Sequence, residues 1–426
     1  MNGAADDRVR AQYEAYPYPE RDPADERRRL VVGSPSHLDE IVHYVLGGRR
    51  EGPLRALVAG GGTGDGAIML AQQLAWRRLE GEVVHLDVST AARAIAEARA
   101  KVRGLTNLAF VTGSLLDAPR LGLGRFDYID CCGVLHHLAD PAAGLARLVE
   151  VLAPEGGLGL MVYGALGRTG VYPVQAMLRA LADDLPDRAR LDLARRLLAG
   201  LPETNWLKRN PFVTDHLEAG DAGLYDLLLH RRDRAFTIPE IAALVAGAGL
   251  AITGLIEPAL YQPERYLDDA EILARLEGLD WIARAGFAEA LSGAMKRHVF
   301  YAVPAGRARS AVARADGANA VPVLREHSGA ELGRRLAGGG RLTVALDGLT
   351  VRARIDPTGA AILAAIDGRR SLGEIHRRLG GDLDWFAFKA AFDSLYASLG
   401  AVNVMLLASA SRRPRPAPPR GGRAAP

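Results

Sequence analysis

Between Leu54 and Tyr163 short apolar runs alternate with amphipathic helical runs, joined by short connections. This alternation constrains the fold more than anything else in the chain. A parallel strand needs a crossover, and the crossover helix buries its apolar face on the sheet, so the pattern predicts a doubly wound α/β sheet with helices on both faces. Strands are expected at Leu54 to Ala59, Glu82 to Asp87, Leu108 to Thr112, Phe126 to Cys131 and Gly157 to Tyr163. Thr90 to Val102 reads as an Ala-rich helix with Arg93, Glu97 and Lys101 at helical spacing. Pro141 to Leu152 starts behind Asp140 as N-cap, with proline at the first helical position.

The alternation stops after Tyr163, and residues 164–237 read as a helical insertion capping the sheet. The helix Ile238 to Ala248, a strand near Ala251 to Ile256, a helical stretch from Asp268 to Met295 and the strand Arg297 to Val303 would complete a seven-stranded sheet. At 426 residues the chain exceeds one ordinary domain. The expected organisation is an N-terminal lid (1–50), a main domain (51–304), a linker (305–320), a small domain (321–407) and a disordered tail (408–426). In the small domain, Arg341 to Ile355 looks like a ribbon turning at Asp347-Gly348, followed by helices at Thr358 to Ile366, Ser371 to Leu379 and Asp384 to Leu399 and a strand at Val402 to Leu407. That order suggests a winged-helix-like unit.

Composition narrows the classes. Hydrophobic residues at 49% and charged residues at 24% are ordinary globular values, which excludes a fibrous or mainly disordered chain. The net charge is +3, and Arg412, Arg413, Arg415, Arg420 and Arg423 of the tail hold much of the basic excess, so the body's charge does not support nucleic-acid binding. The first residues have no apolar leader and no later run is long enough to span a bilayer, from which a cytoplasmic protein without a membrane partner is expected. Cys131 and Cys132 are neighbours on a strand and point to opposite faces, so they form no ordinary disulfide with each other.

The first strand runs into Gly60-Gly61-Gly62-Thr63-Gly64-Asp65 and a helix from Ala67, an arrangement that directs free N–H groups at a ligand. Gly60-x-Gly62-x-Gly64 has the spacing of S-adenosylmethionine turns, whereas Gly62-x-Gly64-x-x-Ala67 stretches into the dinucleotide form and leaves Gly60 unexplained. Asp87, ending the second strand, suits two ribose hydroxyls in either reading. The turn and Asp87 indicate a nucleoside ligand without choosing between the two.

The stretch from Phe126 to Pro141 (FDYIDCCGVLHHLADP) resembles the corresponding segment of class I S-adenosylmethionine-dependent methyltransferases. With LVAGGGTGD, HLDVS and VLAPEGGLGLMVYG, the resemblance covers about residues 54–163. It implies a Rossmann-like fold, S-adenosyl-L-methionine as cofactor and methyl transfer to an acceptor that is a small molecule, a protein or tRNA. It also implies cofactor contacts at Ala59, Gly60, Gly61, Gly62, Thr63, Gly64, Asp87, Ser114, Leu115, Cys132 and Gly133. Two departures stand out: relatives often carry an aspartate where Ser114 stands and an acid where Val58 stands.

His136 and His137, just past the fourth strand, are candidates for a general base, if the acceptor must lose a proton, beside the plainer reading that they shape the loop. A metal site from these histidines and the two cysteines lacks supporting spacing, so no metal is expected. Tyr13, Tyr16 and Tyr18, set among prolines, form a stiff aromatic segment that reads as a cover over the site or as a packing strap. Tyr163, with Asp215, His216, Tyr225 and His230 of the insertion, are candidate acceptor contacts. The terminal unit is read as a protein-docking or dimerisation element. A nicotinamide-dependent oxidoreductase and a non-catalytic cofactor-binding adaptor are the alternatives.

Overall fold

The computed structural model describes residues 3–380 and 383–410. In the N-terminal half the elements are α1 (Gly3–Ala15), α2 (Leu38–Tyr44), β1 (Leu54–Ala59), α3 (Asp65–Arg77), β2 (Gly81–Asp87), α4 (Thr90–Arg103), β3 (Leu108–Thr112), β4 (Phe126–Cys132), α5 (Pro141–Glu150) and β5 (Leu152–Tyr163). The insertion holds α6 (Val171–Ala182), α7 (Asp187–Ala199), α8 (Asp215–Glu218), α9 (Gly220–Leu224) and a π-helical turn Tyr225–Leu229. The chain returns through α10 (Ile238–Gly247), β6 (Leu250–Leu255), α11 (Ala270–Leu276), α12 (Trp281–Ser292) and β7 (Arg297–Pro304). It ends with β8 (Ala320–Leu324), α13 (Gly329–Arg335), β9 (Gly340–Leu346), β10 (Leu349–Ile355), α14 (Pro357–Ala365), α15 (Leu372–Leu379), α16 (Trp385–Gly400) and β11 (Met405–Ser409).

Seven strands form one sheet in the order β3-β2-β1-β4-β5-β7-β6, parallel except for β7, which runs antiparallel between β5 and β6. The expected doubly wound, Rossmann-like sheet is therefore present. Order reverses at β1 and β4, and the crevice outside their carboxyl ends is where such sheets bind ligands. Side chains alternate between two apolar layers: Leu57, Ala59, Ile129 and Cys131 face one, while Ala56, Val58 and Tyr128 face the other with α2 and α3. Asp140 caps α5 by accepting from the N–H groups of Ala142 and Ala143, which places His136 and His137 in the short loop before it.

Three expected boundaries change. The segment 305–320 is not a free linker, because Ala311 and Ala313 are buried and bonded through their backbones to Gly47 and His43. Residues 1–50 are not all lid: Leu38, Ile41 and Val45 belong to the core beneath the sheet. The terminal strand takes in Ala408 and Ser409, which the expected tail included; residues 411–426 of that expectation lie outside the described residues. The ribbon β9–β10 forms as expected, but β11 joins β8 rather than the ribbon, and β8 and α13 went unforeseen. Both β8 and β11 bury Val321, Val323 and Leu406 against α2, which ties this unit to the main sheet.

His43 joins the two parts. Its Nδ1 accepts the Leu407 N–H at 3.1 Å, and burial pushes its pKa down from 6.5 to about 4. The unfolded chain takes up this proton near pH 6.5 and the folded one only near 4, so the contribution is complete above 6.5 and lost as pH falls through 4. At about 1.4 kcal/mol per pKa unit this amounts to on the order of 3 kcal/mol. Denaturant unfolding at pH 7 and pH 4 should therefore show the wild type losing that much more stability than His43→Asn, whose amide keeps the acceptor without titrating. Equal losses would exclude His43 as a source of acid sensitivity.

Candidate functional site

The turn after β1 forms the floor of a cavity of about 850 Å³ at the carboxyl end of the sheet. Gly60 (φ 75°) and Gly62 (φ 51°) take left-handed backbone there. A Cβ on Gly60 would strike Val134, and one on Gly62 would lie 2.6 Å from the Tyr18 carbonyl oxygen. Glycine is required at both positions by conformation and by close approach together. The segment carrying Tyr18 is fastened across the turn, since Thr63 Oγ1 donates to the Pro19 carbonyl at 2.7 Å and Arg21 pairs with Asp65 at 2.6 Å.

Asp87 ends β2 at the rim of the same floor. Its Oδ2 accepts the Gly62 N–H at 2.7 Å and its Oδ1 accepts the Ser89 N–H at 2.8 Å, which fixes the carboxylate. Each oxygen retains a lone pair for a hydroxyl in the cavity. Gly61, Ser114, Leu115, Cys132 and Gly133 also line the space. Ser114 Oγ accepts the Leu116 N–H at 3.2 Å as the cap of a helical turn, leaving its own proton available. Ala59, Thr63 and Gly64 support the turn from behind and do not face the cavity.

Another part of the cavity lining is built from buried titratable groups. Asp226 accepts the Tyr13 hydroxyl at 3.2 Å on Oδ1 and the Tyr163 hydroxyl at 2.9 Å on Oδ2. Burial raises its pKa, and burial together with this carboxylate raises those of both phenols. Arg168 lies 3.7 Å from the Tyr163 ring centre and pairs with Asp233 at 2.9 Å. The His137 ring stacks on His230 at 3.8 Å. His137 Nδ1 meets the Arg232 carbonyl at 2.9 Å and must donate to it, so the lone pair lies on Nε2. His230 has the opposite tautomer, because its Nδ1 accepts the Arg232 N–H at 3.0 Å. The metal-ligating atoms of His137, Asp226 and His230 all lie within 4.8 Å of one another. With the His230 proton on Nε2, that nitrogen is a donor towards Tyr13 and not a ligand, so these hydrogen bonds oppose a metal there.

Of the expected acceptor and catalytic residues, Tyr13, Tyr18, Tyr163, Asp215 and His137 line the cavity, and His230 sits directly behind Tyr13. Besides His230, four expected residues lie outside the lining. His136 is fully buried against Tyr163 with neither ring nitrogen bonded, and burial holds its pKa well below the usual histidine range. Tyr225 stacks on Tyr16 at 5.0 Å and donates to Asp187 at 2.6 Å, so both rings are packing groups. His216 is half-buried outside the cavity lining. The sequence reading missed Asp130, Arg168, Asp226, Lys296 and Arg297, all of which line the cavity. Only Asp226 carried a local signal, lying four residues before His230 on a helical run.

A glycine turn, a ribose-ready aspartate and a sheet of this order define a nucleoside-binding domain of the methyltransferase type. Residues 57–158 match the family described as a methyltransferase domain. An uncharacterized protein of Synechococcus sp. is 30% identical over 276 residues, 62% of this chain and 63% of that protein, so the match leaves over a third of each chain outside it. PKMT2 from Rickettsia typhi has a similar fold, with a TM-score of 0.59 at 13% identity over 87% of this chain and 75% of that one. The structure of PKMT2 in complex with AdoHcy gives a TM-score of 0.53 over the same shares. Among the described residues no helix is long and apolar enough to cross a membrane.

Proposed function

We propose that the chain is an S-adenosylmethionine-dependent methyltransferase. The observation that carries the reading is one cavity lined both by Asp87 with the glycine turn and by Tyr13, Tyr163, Asp226 and His137. That lining supports a reading in which a nucleoside cofactor and an acceptor share the cavity, and the AdoHcy complex of PKMT2 supports the choice of nucleoside. The cofactor's sulfonium makes its methyl group electrophilic and leaves as a neutral thioether. The protein has then to align the acceptor, exclude water and take up a proton where the acceptor holds one. The Tyr18-Pro19 segment closes the cavity over the turn, the phenols on Asp226 orient the acceptor, and His137 Nε2 receives the proton.

A cytoplasmic setting belongs to the same reading, supported by the free thiols Cys131 and Cys132. So does docking by the terminal unit, supported by Phe386, which is 84% exposed at the start of α16. The test is incubation with S-adenosylmethionine carrying a labelled methyl group and a cell extract, followed by fractionation into small molecules, protein and RNA. Label is expected in one fraction and absent with Asp87→Ala, whose lost ribose contacts should weaken S-adenosylhomocysteine binding about 10- to 100-fold, as expected for hydrogen bonds to a charged group. Tight cofactor binding without transferred label would favour an adaptor, and a melting shift with NAD alone would favour an oxidoreductase.

A further inference from the structure

Val58 leaves β1 without an acid at its carboxyl end, yet a carboxylate stands beside it. The β1–β4 register sets Val58 opposite Asp130, and paired residues of parallel strands project to the same face. Both line the cavity. Asp130 is only 2% exposed, and its bonds come from two neutral donors: the Ser36 hydroxyl on Oδ2 and the Cys132 N–H on Oδ1 at 3.0 Å. The first turn of α3 runs alongside, since a Cβ on Gly66 would lie 3.5 Å from Oδ2.

Buried carboxylates elsewhere in the described residues have cations or an imidazole for partners. Glu26 pairs with Arg99, Asp39 with Arg77, Glu40 with Arg325 and Glu289 with His298. Asp87, Asp130 and Asp226 are buried without an ion pair among the described residues, and all of them line the cavity. A buried carboxylate with no cation is costly, and a cationic ligand that supplies the missing charge is bound in proportion. Asp87 is assigned to ribose, and Asp226 is occupied by phenols. Asp130 stands two strands from Asp87 across β1, about 9–10 Å at the usual strand spacing, a span that the extended methionyl chain of a nucleoside held at Asp87 can bridge.

We infer that Asp130 holds the α-ammonium group of the cofactor's methionyl end, filling from β4 the role left open at Val58. The inference rests on the S-adenosylmethionine reading of the site. It makes Asp130 a cofactor-binding residue that discriminates between nucleosides with and without the amino-acid end.

The experiment is calorimetric titration of wild type, Asp130→Asn and Asp130→Ser with S-adenosylhomocysteine and with 5′-methylthioadenosine, which retains adenine, ribose and sulfur but lacks the ammonium. Asp130→Asn should bind S-adenosylhomocysteine about 10- to 100-fold more weakly, the usual range for a charge-assisted bond, and 5′-methylthioadenosine as tightly as wild type does. Unliganded Asp130→Asn should melt no lower than wild type, because an uncompensated buried charge is gone; Asp130→Ser provides the same comparison should the amide misfold. Equal weakening towards both ligands, or unchanged S-adenosylhomocysteine affinity, overturns the assignment. A wild type that binds neither nucleoside overturns the methyltransferase reading, and this inference with it.

Discussion

Replacing His137 by glutamine is expected to slow methyl transfer about 10²–10⁴-fold, the usual contribution of a positioned general base, while S-adenosylhomocysteine affinity stays unchanged. The expectation follows from the tautomer. His137 Nδ1 is committed to the Arg232 carbonyl, so Nε2 carries the lone pair, and the ring borders the cavity beside Tyr163 and Asp226. Glutamine keeps a donor for Arg232 but accepts no proton at neutral pH. His136→Leu supplies the control, because that ring lies outside the cavity lining with both nitrogens unsatisfied, and an apolar group there should cost little stability. Single-turnover rates of the two variants, with label incorporated per unit time as readout, separate the histidines. A larger rate loss in His136→Leu would reverse the assignment.

Removal of Arg99 should be the most damaging change to stability, about 3–5 kcal/mol, as for a buried ion pair stripped of one partner. Arg99 is 1% exposed on α4 and pairs with Glu26 at 2.6 Å and Asp65 at 2.7 Å, while also donating to the Thr63 carbonyl at 2.8 Å. Arg103 reaches the same Glu26. With alanine at 99, the Glu26 carboxylate stays buried with Arg103 as its remaining cation among the described residues, and Asp65 keeps Arg21. The N-terminal segment and the glycine turn share these partners, so Arg99→Ala should weaken cofactor binding as well as lower the denaturant midpoint. A stability loss below about 1 kcal/mol, the range of exposed pairs, would show that the cluster is not the clamp its burial implies.

The sheet and the glycine turn with Asp87 were legible because their signals are local. Apolar runs of strand length, the spacing Gly60-x-Gly62-x-Gly64 and Asp87 at a strand end each lie within a single βα unit. The buried titratable cluster beside them was not legible to the same degree. Tyr13, His137, Tyr163, Asp226 and His230 come from an N-terminal helix, a loop after β4, the end of β5 and an insertion, and no spacing in the chain records that they converge. Tyr225 and Asp226 make the point most directly. They are consecutive in the chain, yet one packs on Tyr16 and the other receives two phenols at the cavity, because adjacent residues of a helical turn face different neighbours.

The expected linker illustrates the same limit. Its Ala/Gly/Arg composition resembles a spacer, but Ala311 and Ala313 are small enough to fit against α2, and their burial depends on a surface formed some 270 residues earlier in the chain. The periodicity and turn chemistry of this chain were enough to specify a doubly wound sheet with a glycine turn and an aspartate at its carboxyl edge. Tertiary structure alone decided that Asp130 stands opposite Val58, that His137 rather than His136 borders the cavity, and that the terminal strand returns to α2. Those outcomes depend on strand register and on which side chains share a buried space, and both are set by contacts between segments far apart in the chain.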